Sequence, residues 1–299
     1  MLKSDIVRQA QKAGAAILAF NIPYLPMMRP VIEAIVHQDS VAMVTVARLE
    51  WRKFESRSPA AVREEFERWK QPEHVWLHLD HIPIIDEDGL EVDAVPVIRE
   101  AIALGYQSVM VDASRLPLEG NIRATRPVAE MAHAAGIPCE AELGAILGHE
   151  AGPLPPYEEL FQSGRGFTDP EEARRFVQET GCDWLSVAAG NIHGAISGVR
   201  KDQKKVEARL NLERIEHIAR ITGIPLVLHG GSGIRQEYVR EAVRRGIAKI
   251  NIATEIRQAY EAAMRETGSE ASAQQAVYER TTWLIRDYYG FSGLRSIIH

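Results

Sequence analysis

The sequence predicts an α/β protein, a (β/α)8 TIM barrel with additional C-terminal helices, covering residues 1–299 as a single domain. Three observations carry this reading. Eight short β-rich runs alternate with helical stretches. The runs are filled with Val, Ile, Leu and Ala rather than strict polar and apolar alternation, which is how parallel strands covered on both faces read. Four of them end on a residue able to bind a metal or move a proton: Asp80-His81, Asp112, Glu142 and His229. Chemistry of that kind gathers at the C-terminal strand ends of a barrel. An open doubly wound sheet is the lesser option, because eight strands without a dividing linker match the barrel better.

In chain order, Ala15 to Asn21 and Val41 to Ala47 form the first two strands. Glu50 to Gln71 is a charged excursion that fits the repeat poorly. Inside it, Ser58 as N-cap and Pro59 at the first helical position start a helix that runs to Trp69. Val75 to Asp80 and Gln107 to Asp112 follow, and Gly136 closes the helix before Ile137 to Glu142. The Gly- and Pro-rich stretch Leu143 to Phe167 is long for a connection in a compact domain, so it reads as a functional lid beside Glu142.

Asp169 and Pro170 then start a helix that Gly181 ends, Asp183 to Ala188 is the sixth strand, and Gly223 closes the helix before Ile224 to His229. Ile247 to Ile252 is the eighth. Glu255 to His299 reads as two helices, of which Ala273 to Tyr288 is amphipathic enough to pack on the barrel or on another subunit.

With 45% hydrophobic and 25% charged residues the chain can bury a large core. Its net charge of -6 leaves no basic excess to neutralise phosphates, which speaks against a nucleic-acid partner. The apolar run near the N-terminus is too short to span a bilayer. Cys139 and Cys182 lie far apart with no C-x-x-C pair, so they read as reduced core residues and the protein as cytoplasmic.

A barrel brings His81, His193 and His229 to one rim, where three imidazoles with an open position make a catalytic zinc arrangement. His37, His74, His133, His149, His217 and His299 fall on helices, turns or a tail and read as structural. His78 shares the strand face of Asp80, one layer deeper, with no role assigned. Asp112 and Glu142, with Glu140 two residues before the latter, are carboxylates at buried strand ends. They read either as ion-paired with rim Arg or Lys or as a second cation position. Gly230-Gly231-Ser232-Gly233 after strand seven and Asn251 to Thr254 after strand eight stand where barrels cradle phosphate, with Gly194 able to approach the same anion.

With those residues in place, the chain resembles the class II, zinc-dependent fructose-1,6-bisphosphate and tagatose-1,6-bisphosphate aldolase family. The motifs are Leu77 to His81, Ser108 to Ser114, Glu140 to Gly144, Gly190 to Gly194, Leu226 to Gly233 and Lys249 to Arg257, in family order. The resemblance implies that His81, His193 and His229 hold one catalytic Zn2+, with Asp112 and Glu142 at a second cation position. It implies that Asp80 exchanges the proton of the ketose C4 hydroxyl, while zinc holds the C2 and C3 oxygens and stabilises the enediolate of dihydroxyacetone phosphate. Glu150 matches a lid glutamate that moves a proton on the hydroxymethyl carbon, and Asn251 a residue near the enediolate. Gly194, Gly230, Ser232 and Thr254 match the phosphate cradle. A homodimer or homotetramer is implied as well.

The departures from the family concern the aldehyde half of the substrate. Ile82-Pro83 replaces the usual Gly, Arg48 to Arg52 replaces a small-residue stretch, and the lid Ala145 to Ala151 lacks a glycine and an acidic residue. A family lysine after Gly194 is missing, with Ser197, Arg200 and Lys201 nearby. The expected activity is therefore reversible cleavage of a phosphorylated ketose, a ketose 1-phosphate or 1,6-bisphosphate, to dihydroxyacetone phosphate and an aldehyde. The rivals are a noncatalytic phosphosugar-binding protein on the same scaffold and a metal-dependent barrel hydrolase. The three His with Asp80 argue against the first, and the absence of H-x-H after the first strand argues against the second.

Overall fold

The structure, a computed structural model, describes residues 5–144, 157–191, 208–231 and 234–298. Eight parallel strands close into a barrel in sequence order: β1 Ile17–Asn21, β2 Ala42–Ala47, β3 Val75–Pro83, β4 Ser108–Asp112, β5 Cys139–Leu143, β6 Trp184–Val187, β7 Leu226–Leu228 and β8 Ile247–Ile252. β8 returns to pair with β1, so no edge is left open. Helices α1 Ile6–Lys12, α2 Met28–His37, α3 Arg48–Lys53, α4 Pro59–Trp69, α5 Ala94–Ala103, α6 Leu118–Ala134, α7 Tyr157–Ser163, α8 Pro170–Thr180, α9 Leu212–Thr222, α10 Gln236–Arg244, α11 Thr254–Thr267, α12 Glu270–Trp283 and α13 Arg295–Ile298 are interleaved with the strands or follow them.

The helix signals in the sequence act as their chemistry requires. Ser58 Oγ accepts from the Ala61 amide at 3.1 Å, and Asp169 Oδ1 accepts from the Glu172 amide at 3.0 Å. Gly181 and Gly223 take the left-handed conformation past α8 and α9. The excursion after β2 is α3 and α4, and the stretch expected as a long loop after β5 contains α7. The C-terminal segment contains α11, α12 and α13, with a π turn Leu284–Tyr289 continuing α12. Of the two packing partners expected for it, the barrel is the one seen here: α12 buries Ala273, Val277 and Thr281. His37 Nδ1 on α2 also meets the Tyr278 hydroxyl of α12 at 3.0 Å.

Alternation along the strands, interrupted in β8 where the register with β7 steps from Ile247 to Lys249, divides the core in two. The outward residues, such as Leu18, Val44, Leu77, Val109, Leu185 and Ile250, pack against the helices. The inward residues change character from one end of the barrel to the other. At the N-terminal end Ile17, Ala19, Met43, Trp184, Val227 and Ala248 pack with Ile6 and Val7 of α1, which plugs the barrel. Farther along the same strand faces come His78, Glu140, Lys249 and Asn251, all buried. Among the described residues no helix is long and apolar enough to cross a membrane.

Strand β3 departs from its expected extent. It does not end at Asp80 but runs to Pro83, and its register with β4 steps from Leu79↔Val109 to Ile82↔Val111. Three residues on β3 thus oppose two on β4, so one residue bulges out of the ladder. His81 sits in that bulge with φ +34°, a left-handed conformation that is uncommon for a residue with a Cβ.

Candidate active site

The bulge is what makes Asp80 and His81 usable together. On a regular strand neighbouring side chains point to opposite faces. Here donor atoms of Asp80, His81 and His229 all lie within 4.8 Å of one another. Strain at a residue that is over-determined by its surroundings is the kind found at ligand clamps. Ile82, next in line, resumes the alternation and is buried in the outer core, so it faces helices and not the barrel mouth.

His229 follows the short strand β7, which ends at Leu228, one residue earlier than expected. Its Nε2 lies 2.9 Å from Glu140 Oε1, and its Nδ1 lies 2.5 Å from His81 Nε2. His81 Nδ1 in turn meets Asp112 Oδ2 at 3.2 Å. Each outer nitrogen faces a carboxylate, which selects the tautomer with its proton there. The two inner nitrogens face one another at 2.5 Å, and two bare lone pairs would repel there, so one positive charge, a proton on His81 or a cation drawn toward both rings, belongs with this pair.

The charges around it point the same way. Burial pulls the His81 ring down, but Asp80, Asp112 and Glu142 outweigh this and lift it to about 10. Burial and the neighbouring His81 charge hold His229 below its ordinary value. One ring therefore carries positive charge while the other stays neutral and accepts from it, and a cation bound by these residues would take the place of that proton.

Asp80 is buried, with both carboxylate oxygens engaged. Asn251 Nδ2 donates to Oδ1 and Asn21 Nδ2 donates to Oδ2, each at 2.9 Å. Burial pushes this carboxyl up, yet the charges of His81, Lys249 and His229 hold it well below the usual carboxylate range. It is therefore ionised at neutral pH. Asn251 is oriented by Lys249, whose Nζ donates to Asn251 Oδ1 at 2.7 Å and lies 2.7 Å from Glu140 Oε2. Lys249 and Glu140 are fully buried. They form a chain of charge from β8 to β5 that reaches His229 from beneath. Burial raises Glu140, but Lys249 and then His229 bring it down to about 2.

His78, which the sequence left without a role, is fully buried below Asp80. Its Nδ1 meets Ser108 Oγ at 2.8 Å, and its Nε2 lies 3.5 Å from Glu140 and 3.8 Å from Asp80. Burial and then the Lys249 charge lower it to about 3, so it is a neutral spacer beneath the carboxylates.

Asp112 and Glu142 come together with His81, their donor atoms within 4.8 Å. Asp112 Oδ1 accepts from Ser114 N and Oγ at 3.0 and 2.7 Å, and Glu142 Oε2 accepts from Ser186 Oγ at 3.1 Å. Among the described residues neither pairs with Arg or Lys, the alternative left open by the sequence. Burial and the Asp112 charge lift Glu142 to about 8, whereas His81 and Ser114 overcome burial to hold Asp112 near 2. Two adjacent buried carboxyls, one of them resisting ionisation, are a set whose charge a cation would relieve.

On the far side of the mouth, Gly230 turns left-handed at φ +63° after β7, and Thr254 opens α11 after β8. The register Leu228↔Ile250 puts these two turns side by side. Asn191 ties the end of β6 to this region by donating to the His229 carbonyl at 2.9 Å. Four predicted site residues, Glu150, His193, Gly194 and Ser232, lie outside the described residues.

Four polar residues that orient the site were not singled out for it, Asn21, Lys249, Ser108 and Ser186, and neither was Glu50, buried at the start of α3. Asn21 carried the same signal as Asp80, a polar residue ending an apolar run. Lys249 stands two residues before Asn251 on one strand face, a spacing that places both inside the barrel. Glu50 had no such signal, because its placement depends on α3 starting directly at the end of β2.

Comparison with known proteins agrees with this geometry. A family model described as fructose-bisphosphate aldolase class-II matches residues 3–288. A probable fructose-bisphosphate aldolase of Bacillus subtilis is 32% identical over 266 residues, 88% of this chain and 85% of that protein. A fructose-bisphosphate aldolase of Geobacillus stearothermophilus is 38% identical over 192 residues, 64% of this chain and 58% of that one. Among solved structures, the YdjI aldolase from Escherichia coli K12 superposes with a TM-score of 0.74 at 30% identity, covering 99% of this chain and 100% of that one. The match along the sequence, the closed barrel and the carboxylate–imidazole cluster at its mouth agree: this chain belongs to the class-II fructose-bisphosphate aldolase family of carbon–carbon lyases.

Proposed function

We propose that this chain is a zinc-dependent aldolase that reversibly cleaves a phosphorylated ketose, a ketose 1-phosphate or 1,6-bisphosphate, to dihydroxyacetone phosphate and an aldehyde. The observation that carries the reading is an ionised Asp80 with both oxygens clamped by amides, one residue from the His81 ring that meets His229. His81 and His229, joined by His193, are the residues that would hold the ion. A bound zinc supplies Lewis-acid stabilisation for the charge that develops on the C2 and C3 oxygens.

Asp80 accepts the proton of the C4 hydroxyl as the C3–C4 bond breaks, and the bonding electrons pass to C3 and the C2 carbonyl. In condensation the same carboxyl returns the proton to the aldehyde oxygen. Asn21 and Asn251 keep the carboxylate from rotating, so its lone pairs stay aligned with the hydroxyl. Glu150 is the candidate for protonating the hydroxymethyl carbon. Gly194, Gly230, Ser232 and Thr254 take the phosphate, supported by the pairing of the β7 and β8 turns. Asp112 and Glu142 are the donors for a second cation. The working form is a homodimer or homotetramer in the cytoplasm, in keeping with two buried free cysteines.

The test is to incubate zinc-loaded protein with a panel of ketose 1-phosphates and bisphosphates differing at C4 to C6. Dihydroxyacetone phosphate is expected from at least one of them. A panel that yields none, with zinc bound, refutes the reading.

A further inference from the structure

Lys249 is fully buried, and a step in strand register brings it inside the barrel. Leu226 and Val227 of β7 lie opposite Ile247 and Lys249, so Ala248 is an extra residue in β8. Ala248 faces inward among the core residues at the N-terminal end. On a regular strand the next side chain would face the helices. The extra residue lets Lys249 face inward too, where it meets Asn251 and Glu140. A buried ion pair is weak ground for stability, because apolar side chains of similar volume often serve as well. The directions of its hydrogen bonds are what an apolar residue could not supply.

Those bonds run from the proton-transfer group to an imidazole. Nζ donates to Asn251 Oδ1 at 2.7 Å, and Asn251 Nδ2 donates to Asp80 Oδ1 at 2.9 Å. Nζ also lies 2.7 Å from Glu140 Oε2, and Glu140 Oε1 lies 2.9 Å from His229 Nε2. The Asn251 amide thus stands between two carboxylates, Asp80 in direct contact and Glu140 across the amine. An amide has one oxygen and one nitrogen to place, and a carboxylate accepts only the nitrogen. Lys249 engages Glu140 and takes the oxygen of Asn251, which commits the nitrogen to Asp80. Without that amine, Glu140 would lose its partner and compete with Asp80 for the same N–H groups, and the Asn251 oxygen would be left buried and unpaired.

We propose that Lys249 is a positioning residue for carbon–carbon bond cleavage, which commits the amide of Asn251 to Asp80 by engaging its oxygen and by screening it from Glu140. The inference rests on the reading of Asp80 given above.

The test compares two variants of equal charge in the Glu140→Gln background, which removes both members of the ion pair and keeps an oxygen for the His229 N–H. Lys249→Met leaves no donor for Asn251. Lys249→Gln keeps an N–H for the Asn251 oxygen on a side chain one bond shorter. Cleavage kcat and KM are measured on the panel ketose with the highest wild-type turnover, and zinc content by elemental analysis. The Met variant is expected to lose about 10- to 100-fold in kcat with KM within about threefold, as a misaligned base does. The Gln variant is expected to cleave at least about fivefold faster than the Met variant, the worth of one hydrogen bond. Both hold zinc alike, and adding Asn251→Ala to each erases the difference between them. Lys249→Leu takes the place of Lys249→Met if the latter does not fold. Equal cleavage by the two variants, a difference that survives Asn251→Ala, a difference confined to KM, or zinc lost from the Met variant alone each overturn the proposal. Wild-type protein that cleaves nothing on the panel defeats the aldolase reading instead.

Discussion

Nε2 of His81 and Nδ1 of His229 face each other at 2.5 Å, while each ring's other nitrogen meets a buried carboxylate, Asp112 for His81 and Glu140 for His229. The outer carboxylates set the tautomers and the bulge in β3 sets the approach. The inner nitrogens therefore converge on one point of the mouth, and His81 is held there at a strained φ.

Under the proposed function, metal binding and proton transfer fall to different residues. His229→Ala is expected to lose bound zinc, measured by elemental analysis, together with cleavage. Asp80→Ala is expected to keep its zinc and lose about 10²- to 10⁴-fold in cleavage, the range for a removed acid–base group. An Asp80→Ala protein that cleaves like wild type excludes Asp80 as that group.

Lys249 and Glu140 are a buried ion pair, so removing one partner strands the other. Lys249→Met is expected to destabilise the protein by about 3–5 kcal/mol, and the double variant with Glu140→Gln to recover most of that. Thermal and denaturant unfolding measure both. A single variant as stable as wild type would show that the charge on Glu140 is neutralised elsewhere.

Glu50 gives stability a defined pH dependence. Burial, opposed by the Ala47 amide and reinforced by the Asp80 charge, lifts its carboxyl from an ordinary 4.5 to about 8. Below pH 4.5 folded and unfolded chains are both protonated there. Between 4.5 and 8 the unfolded chain releases the proton and the folded one retains it, so rising pH favours unfolding, and above 8 the loss is complete. Glu50→Gln removes this slope. Relative to wild type, the variant should gain stability across that window, on the order of 3–5 kcal/mol by its upper end. A difference independent of pH would contradict the assignment.

Gly190 follows β6 and packs beside Arg209, which precedes α9. It sits at φ +104°, and a Cβ there would overlap the Arg209 carbonyl and approach the Phe161 ring. Tyr157 clamps the same turn, its hydroxyl accepting from the Arg209 amide at 2.6 Å and lying 3.0 Å from the Gly190 carbonyl oxygen. Gly190→Ala should therefore cost at least about 1–3 kcal/mol from backbone strain alone, read as a lower unfolding midpoint.

Much of this protein is legible in one dimension. Strand order, helix caps at Ser58 and Asp169, and the polar residues that end apolar runs are local signals, because buried parallel strands and helix termini each impose a short-range pattern. The barrel then makes strand ends neighbours, so Asp80, Asp112, Glu142, His229 and Asn251 could be gathered without knowing any distance. Tertiary structure decided the rest. That Asp80 and His81 both face inward follows from an extra residue in the β3–β4 register, and alternation along the sequence gives the opposite answer for one of them. That Lys249 reaches Glu140 and Asn251, and that Glu50 caps Ala47 directly opposite Asp80, follows from closure of β8 onto β1 and from α3 starting directly after Ala47. Local pattern fixes which residues can do chemistry, but their partners are set by inter-strand register, which is a property of the packed sheet and of no single segment.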